Sequence, residues 1–330
     1  MSASLGTVAI LGGGISGLAA AFQLTKVHPA PKRIILLEAS STFGGWINSI
    51  RNKDGVCYET GPRTMRPVGE AAMTTLNLLD QLNLNDRVLS LKKDHPAARN
   101  RLIYINGEMV RLPMELSAVF KTCPPFQRPL LMAGLQDLIA RKNPEHDESI
   151  HQFFSRRLGK DLAEFATDPL LRGVCAGDCR EISVHFLFKF LKEHELKYGS
   201  ITLGVLAEAI KAPFKGKKAK PTLSKLAQQS IDERWSIWTL RGGLQTLPEA
   251  LAEAAAAAGV EICAGTPCTG LQFVANEGVL VKSGKGDVMA TRVISALPAH
   301  QLADLTGGPH PALSSLLQSI PYVTVGLVNM

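Results

Sequence analysis

The sequence predicts an α/β protein in which a discontinuous Rossmann-like domain is interrupted by an inserted helical domain. Three observations predict this class. Near the start of the chain, a short apolar run leads directly into a glycine-rich turn and an alanine-rich segment. Residues 95–222 instead carry apolar positions at helical spacing, separated by proline and glycine. The alternation of strand-like and helix-like segments then resumes near residue 223.

The glycine-rich turn follows the apolar run "TVAIL", which is typical of a buried parallel strand. Gly12, Gly14 and Gly17 fit the spacing G-x-G-x-x-G, and a second run, "RIILLEA", contains Glu38 at 21 positions beyond Gly17. The order of strand, turn, helix, strand and acidic residue predicts a dinucleotide site. A glycine-rich turn beside an unrelated glutamate is the structural alternative.

Each glycine has a separate physical role in such a site. Gly12 permits the turn, Gly14 lets the backbone approach a pyrophosphate, and Gly17 lets the helix pack against the strand. The phosphates would lie at the helix N-terminus, where free N–H groups favour anions. The carboxylate of Glu38 would accept hydrogen bonds from ribose hydroxyls. The cofactor contacts predicted here are Gly12, Gly13, Gly14, Ile15, Ser16, Gly17, Glu38 and Ala39.

A second glycine pair decides which dinucleotide is expected. Gly44 and Gly45 follow Glu38 closely, within the stretch "STFGGWINSIRNKDGVCYETGPRT". Backbone without side chains can approach the same dinucleotide from its other side, which favours FAD over NAD. From this point the sequence resembles the flavin amine oxidase superfamily, in which a Gly-Gly loop follows the first strand-turn-helix unit.

Within that superfamily, the chain is most similar to the protoporphyrinogen oxidase family of animals. Amine oxidases usually carry Arg after the glycine pair, whereas this chain has Trp46. The "GPR" loop and the segments "DHPAARNRLIY", "SIWTLRGGLQTLPEAL" and "RVISALPA" also carry the resemblance. A flavin amine oxidase or a carotenoid desaturase is a second enzyme interpretation, against which Trp46 and the "GPR" loop argue. A non-catalytic FAD-binding module is a third interpretation.

The resemblance implies FAD-dependent oxidation of protoporphyrinogen IX to protoporphyrin IX, with dioxygen as the acceptor, in haem biosynthesis. It implies a catalytic role for Arg63 beside the flavin, for which a structural arginine that binds loop carbonyls is the alternative. It also implies that Arg101 binds a substrate propionate, for which a surface salt bridge is the alternative. The further cofactor contacts that it implies are Trp46, Gly61, Pro62, Arg63, Thr64 and Cys268.

The predicted domains follow from the same patterns. Residues 1–94 and 223–306 form the FAD-binding domain, in which "GVLVKS" and "RVISALPA" are expected to complete a crossing layer of strands. Residues 95–222 form the helical domain, which the resemblance makes membrane-associated. Residues 307–330 are expected to begin a substrate-binding sheet. The resemblance covers about the first two thirds of the family's length, so we expect this sheet to be incomplete and the chain to be C-terminally truncated, either as a catalytically competent enzyme or as an inactive fragment.

Two surface features bear on partners. The first is an aromatic stripe in the helical domain, which either faces the core or enters a membrane interface: Ile182, Phe186, Phe188, Phe190 and Leu191. The second is the lysine-rich segment 211–221, which is either a solvated linker or a contact for anionic lipid. It lacks an aromatic platform, so we expect no nucleic acid partner.

Composition excludes some classes of site and leaves the location to the resemblance. The net charge is +7, and none of the six cysteines forms a C-x-x-C pair, so no metal site is expected. Only six residues precede the first strand, and no apolar run of 18 residues occurs, so neither a presequence nor a transmembrane helix is expected. The resemblance implies a peripheral protein on the intermembrane-space side of the mitochondrial inner membrane, with a homodimer and ferrochelatase as further partners.

Overall fold

The computed structural model describes residues 6–113, 116–144, 147–211, 223–308 and 310–329. The chain divides into two compact units. The first unit combines Met1–Lys92 with Thr222–Met330, and the second is Lys93–Pro221. Apart from Lys211, the lysine-rich segment 211–221 lies outside the described residues.

The strands lie mainly in the first unit, and only one hairpin of the described residues lies in the second. In chain order they are β1 Thr7–Leu11, β2 Arg33–Leu37, β3 Ser49–Arg51, β4 Cys57–Glu59, β5 Val88–Lys92, β6 Leu102–Ile105, β7 Glu108–Arg111, β8 Trp235–Leu240, β9 Glu261–Cys263, β10 Cys268–Val274, β11 Gly278–Ser283, β12 Val288–Ala290 and β13 Arg292–Ser295.

The helices are distributed over both units. In chain order they are α1 Ile15–Leu24, α2 Glu70–Gln81, α3 Pro96–Arg99, α4 Leu130–Ile139, α5 Ile150–Leu158, α6 Lys160–Leu162, α7 Asp168–Cys175, α8 Val184–Leu187, α9 Lys189–Tyr198, α10 Ile201–Lys211, α11 Lys225–Asp232, α12 Thr246–Ala257, α13 Ala299–Thr306 and α14 Pro311–Gln318. Short 3₁₀ turns span Asn85–Arg87 and Leu116–Phe120, and a π-helical turn spans Ala163–Thr167.

A parallel sheet with the order β13-β1-β2-β9 forms the centre of the first unit. Both faces of this sheet are covered. Ile10 and Leu36 belong to the core cluster that contains α1 and α12, whereas Ala9 and Leu11 belong to a second cluster with β10 and β11. Burial on both faces explains why β1 and β2 read as continuous apolar runs instead of alternating ones. The predicted Rossmann-like α/β arrangement is confirmed.

The prediction for the segment "RVISALPA" was wrong. Its strand β13 pairs with β1 in the parallel sheet, whereas β10, β11 and β12 form a separate antiparallel sheet. The reason lies in the burial of successive side chains. Val293 packs on one core cluster and Ile294 on the other, so both faces of β13 are apolar, as a strand inside the parallel sheet requires.

The expected start of a substrate-binding sheet at 307–330 also differs from the structure. Helix α14 occupies Pro311–Gln318, and the described residues after it form no strand. An extended segment becomes part of a sheet only when a neighbouring strand supplies hydrogen bonds, and no described strand pairs with residues 319–329. Instead, the hydroxyl of Tyr322 accepts a hydrogen bond from the N–H of Ala299 at 2.7 Å.

The second unit packs its helices around an apolar cluster formed by side chains of α5, α7, α8 and α10. It also contains the β6–β7 hairpin, so the inserted unit is not purely helical. Beside the cluster lies a buried ion pair. The guanidinium of Arg157 pairs with Asp137, and both side chains are fully buried. Ser200 and Thr202 also donate hydrogen bonds to Asp137, so the carboxylate ties α4 and α5 to the start of α10.

The aromatic stripe of the second unit is divided between core and surface. The ring of Phe188 packs edge-on against Phe154 at 5.0 Å, and Ile182 and Leu191 join the same apolar cluster. Phe186 and Phe190 are 69% and 54% exposed. The core-facing alternative therefore holds for Ile182, Phe188 and Leu191, whereas Phe186 and Phe190 lie on the surface. Among the described residues, no helix is both long and apolar enough to cross a membrane.

Candidate flavin site

The turn between β1 and α1 is built around glycines that leave no room for a side chain. Gly12 has φ +99°, and its N–H donates to the carbonyl of Leu37 at 2.8 Å. A Cβ on Gly17 would lie 1.9 Å from the carbonyl oxygen of Gly12. Helix α1 therefore approaches the turn as closely as the sequence pattern predicts for a dinucleotide fold.

Gly14 is less crowded than these two glycines. It caps the N-terminus of α1, and a Cβ on it would have only the Cα of Gly45 within 4 Å, at 3.9 Å, an ordinary van der Waals contact. The first turn of a helix leaves its N–H groups without intrahelical partners, and here that turn contains Ile15 and the exposed Ser16. The half-buried backbone of Gly14 and these donors together fit a pyrophosphate.

The second glycine pair lies directly against the first turn. The N–H of Gly44 donates to the carbonyl of Gly13 at 3.0 Å, and Gly44 forms a parallel bridge with Gly14. Both Gly44 and Gly45 have positive φ angles, +118° and +61°. Glycine is needed here because other residues rarely adopt this conformation. The structure thus brings together two glycine loops that are separated by about thirty residues of sequence.

Glu38 stands at the end of β2, beside the glycine turn. Its carboxylate accepts hydrogen bonds from the N–H groups of Gly13 at 2.5 Å and Ser40 at 2.8 Å. Each carboxylate oxygen has a further lone pair, so both can still accept from a ribose hydroxyl. Ala39 is exposed between these contacts.

Cys268 follows a segment that pairs with the end of β2. Thr266 donates its N–H to the carbonyl of Glu38 at 2.7 Å, and β10 begins at Cys268. The side chain of Cys268 packs into an apolar cluster, and this burial raises the pKa of its thiol. Any adenine contact at this position would therefore come from the backbone.

The loop Gly61–Thr64 is held at both ends. A Cβ on Gly61 would lie 1.9 Å from the carbonyl oxygen of Trp46, and Met65 exchanges two backbone hydrogen bonds of 2.8 Å with Trp238. The side chain of Trp46 is 77% exposed. Pro62, Arg63 and Thr64 are exposed as well.

Arg63 and Arg101 both present guanidinium groups without a partner among the described residues. The carbonyl of Arg63 accepts a hydrogen bond from the hydroxyl of Thr239 at 3.0 Å. The side chain of Arg63 makes no hydrogen bond to a loop carbonyl among the described residues. Arg101 belongs to the second unit, is exposed, and precedes β6. Its carbonyl accepts from the N–H of Leu112 at 2.7 Å. Neither structural alternative is therefore found in the part of the chain that the structure describes.

Sequence reasoning missed a set of polar residues behind the glycine loops. Ser49, Glu59 and Gln245 form a hydrogen-bonded cluster between the β3–β4 hairpin and the turn before α12. The available signal was a glutamate at the end of the run "VCYET", next to the "GPR" loop. A half-buried carboxylate requires hydrogen-bond donors, and Glu59 receives one from Ser49 and one from Leu244 in the distant "RGGLQ" segment.

One group of possible metal ligands was also not predicted. Asp168, Asp178 and Cys179 have ligand atoms within 4.8 Å of one another. Arg172 pairs with both carboxylates, at 2.8 and 3.5 Å. Burial, together with Asp168, raises the pKa of the Cys179 thiol to about 12. The arrangement is that of an ion-pair cluster around a protonated thiol.

Comparison with known proteins assigns the family. Residues 15–330 match the flavin containing amine oxidoreductase family. The chain belongs to this family. Human protoporphyrinogen oxidase is 41% identical over 98% of this chain and 66% of its own length. Protoporphyrinogen oxidase of Schizosaccharomyces pombe is 32% identical over 75% of this chain and 54% of its own. The predicted resemblance is therefore confirmed.

A solved structure shows the same fold. The crystal structure of a protein from Exiguobacterium sp. 255-15 matches with a TM-score of 0.66 and 24% identity, covering 95% of this chain and 64% of that one. The matches thus span 54% to 66% of the length of these relatives. The predicted cofactor, FAD, is confirmed by the family. The residues fit it, because the helix N-terminus at Gly14 packs against a second glycine loop and neither loop has a side chain at this contact.

Proposed function

We propose that this chain takes part in the FAD-dependent oxidation of protoporphyrinogen IX to protoporphyrin IX, with dioxygen as the electron acceptor. The observation that carries the proposal is the facing pair of glycine loops, Gly12–Gly17 and Gly44–Gly45, in a chain 41% identical to human protoporphyrinogen oxidase. When bound, FAD supplies the redox chemistry by accepting hydride from the substrate.

The residues of the chain bind and orient the dinucleotide. The first turn of α1 would hold the pyrophosphate with its N–H groups, and the lack of side chains at Gly14 and Gly45 would let the dinucleotide approach both backbones. Glu38 would accept hydrogen bonds from the ribose, and the backbone near Cys268 would contact the adenine. Trp46 and the Gly61–Thr64 loop would hold the flavin ring.

Two arginines interact with negative charge on the cofactor and the substrate. The guanidinium of Arg63, which has no partner among the described residues, would stabilise negative charge on a bound flavin or orient the substrate. The guanidinium of Arg101 binds a propionate of the substrate in two-point geometry, which the planar guanidinium fits. Its exposure and its lack of a partner among the described residues support this role.

The second unit provides the contact with the membrane. Phe186 and Phe190 are exposed, and α4 and α10 expose further leucine and isoleucine side chains. Such apolar surface on helices is typical of proteins that enter a membrane interface. We place the protein on the intermembrane-space face of the mitochondrial inner membrane, where a second copy of the chain and ferrochelatase are its proposed protein partners.

The experiment that tests this function measures flavin and substrate in the same sample. The 330-residue chain is purified, loaded with FAD, and titrated with protoporphyrinogen IX without oxygen. Bleaching of the flavin absorbance, followed by porphyrin fluorescence after air is admitted, is the expected result. A flavin band that the substrate does not bleach would contradict the oxidase and favour a non-catalytic FAD-binding module. No flavin band would contradict both.

A further inference from the structure

Glu59 connects two segments that are far apart in the sequence. One carboxylate oxygen accepts from the hydroxyl of Ser49 at 2.7 Å, and the other accepts from the N–H of Leu244 at 2.8 Å. Ser49 begins β3 and Glu59 ends β4, whereas Leu244 lies in the turn before α12. The carboxylate therefore bonds the β3–β4 hairpin to a turn about 190 residues away.

Ser49 and Gln245 close the cluster with two more bonds. The side-chain carbonyl of Gln245 accepts from the N–H of Ser49 at 2.8 Å, and the N–H of Gln245 donates to the hydroxyl of Ser49 at 3.2 Å. Ser49 and Gln245 are 7% and 8% exposed. Buried polar groups that lose a partner cost more than the bond itself, so each member of the cluster depends on the others.

The turn can approach the hairpin only because it contains glycine. Gly243 has φ +96°, and a Cβ on it would lie 2.3 Å from the hydroxyl oxygen of Ser49. Gly44 meets the same region, since its Cβ would lie 3.1 Å from the ring of Pro248 in α12. The cluster is thus the point at which hairpin, turn and helix α12 come into contact.

Both loops of the candidate flavin site emerge from this hairpin. The Gly44–Gly45 loop leads into β3, and the Gly61–Thr64 loop follows β4. Between them, the N–H of Thr60 donates to the carbonyl of Asn48 at 2.9 Å, and Gly61 packs on the carbonyl of Trp46. A shift of the hairpin would therefore move both loops together.

We propose that Glu59 is a positioning residue for FAD. Through Ser49 and Leu244 it fixes the hairpin against the turn before α12, and this holds the Gly44–Gly45 and Gly61–Thr64 loops at the separation that the dinucleotide requires. The inference rests on the proposed function for the presence of FAD, but it concerns cofactor binding and not turnover.

The test is a titration of the apo-chain with FAD, followed by quenching of flavin fluorescence. Glu59→Gln keeps the size of the side chain but replaces an acceptor by a donor towards Ser49. Ser49→Ala removes the hydroxyl and leaves the Leu244 bond. Glu277→Gln makes the same chemical change on an exposed turn of the same unit and serves as the control. The melting temperature of each apo-variant is measured in parallel.

We expect Glu59→Gln and Ser49→Ala each to raise the Kd for FAD at least about tenfold. The variant that carries both changes should have about the same Kd as the weaker-binding single variant, because the two side chains belong to one hydrogen-bond cluster. The control should stay within about twofold. If the variants are less stable but bind FAD as the wild type does, Glu59 is merely structural and the inference is overturned. Failure of both single variants to fold overturns it as well. A wild type without affinity for FAD would instead contradict the proposed function.

Discussion

The backbones of Gly14 and Gly45 pack against each other. A Cβ on Gly14 would lie 3.9 Å from the Cα of Gly45, and a Cβ on Gly45 would lie 3.3 Å from the Cα of Gly14. A side chain on either glycine would therefore crowd the other loop. Gly14 is half-buried and Gly45 is exposed, so without side chains both backbones can be approached by a pyrophosphate at the N-terminus of α1, which explains why two separate glycine motifs occur in one chain.

The buried pair of Arg157 and Asp137 predicts a large loss of stability on mutation. Arg157→Met leaves the carboxylate of Asp137 buried without its counter-ion, so we expect the free energy of unfolding to fall by about 3–5 kcal/mol. Arg172→Met removes an exposed partner of Asp168 and should cost much less, because solvent screens exposed ion pairs. Urea unfolding of both variants measures this. Equal losses would show that burial of the pair has no energetic weight.

The same unit should lose stability in acid. Burial alone would raise the pKa of Asp137, but hydrogen bonds from Ser200 and Thr202 and the charge of Arg157 outweigh it and lower the pKa. Burial also opposes ionisation of Glu195, whose pKa is lowered by hydrogen bonds from Arg156 and Lys192. A carboxyl with a lowered folded pKa stabilises the fold above its unfolded pKa, about 4, and this contribution is lost as the pH falls through the folded value.

We therefore expect the free energy of unfolding to be constant with respect to these groups above about pH 5 and to decline below about pH 4. Asp137→Asn should lower stability at neutral pH, because Arg157 loses the nearer of its two charge partners, Asp137 and Glu195, and should make the decline shallower. Unfolding in urea at a series of pH values from 3 to 7 measures this. A decline of unchanged slope in the variant would contradict the role of Asp137.

The exposed phenylalanines predict which part of the aromatic stripe binds lipid. Phe186→Ser with Phe190→Ser should reduce sedimentation with anionic liposomes, because both rings are exposed. Leu313→Ser with Leu316→Ser removes comparable exposed apolar area from the first unit and is the matched control. Equal binding of the wild type and the phenylalanine variant would assign the lipid contact elsewhere.

Arg101 should recognise a carboxylate of the substrate. We expect Arg101→Ala to weaken the binding of protoporphyrin IX by about 1.5–3 kcal/mol, the range for a hydrogen bond to a charged group. Arg111→Ala removes an exposed arginine from the same hairpin and should have little effect. Porphyrin fluorescence titration gives both values, and the Kd for FAD should not change. Unchanged porphyrin binding would exclude Arg101 from the substrate site.

Much of the first unit could be predicted from the sequence, because its signals are local. The strand before Gly12, the turn to Gly17 and the strand that ends near Glu38 lie within about thirty residues, and each has a distinctive residue pattern. The placement of β13 beside β1 could not be predicted in this way, since it pairs Val8 with Arg292. A four-residue apolar run does not specify which sheet it joins.

Side-chain contacts between distant parts of the sequence could not be predicted either. Glu59 is next to the "GPR" loop in sequence, but its donors lie at Ser49 and Leu244, and only folding brings them together. Phe188 and Phe190 are equally apolar, yet Phe188 packs on Phe154 and Phe190 is exposed, because Phe188 lies at the interruption between helices α8 and α9. Spacing alone could not separate them.

The central claim is that the facing glycine loops bind FAD, and one titration tests it most directly. Gly14→Val places a side chain at the start of α1, next to Gly45, whereas Gly284→Val places the same side chain where no atom lies within 4 Å. We expect the wild type and Gly284→Val to bind FAD with similar Kd values, and Gly14→Val to bind at least about tenfold more weakly, a loss of about 1.4 kcal/mol or more. If folded Gly14→Val binds FAD as tightly as the wild type, the dinucleotide does not lie against these glycine loops, and the proposed flavin site is wrong.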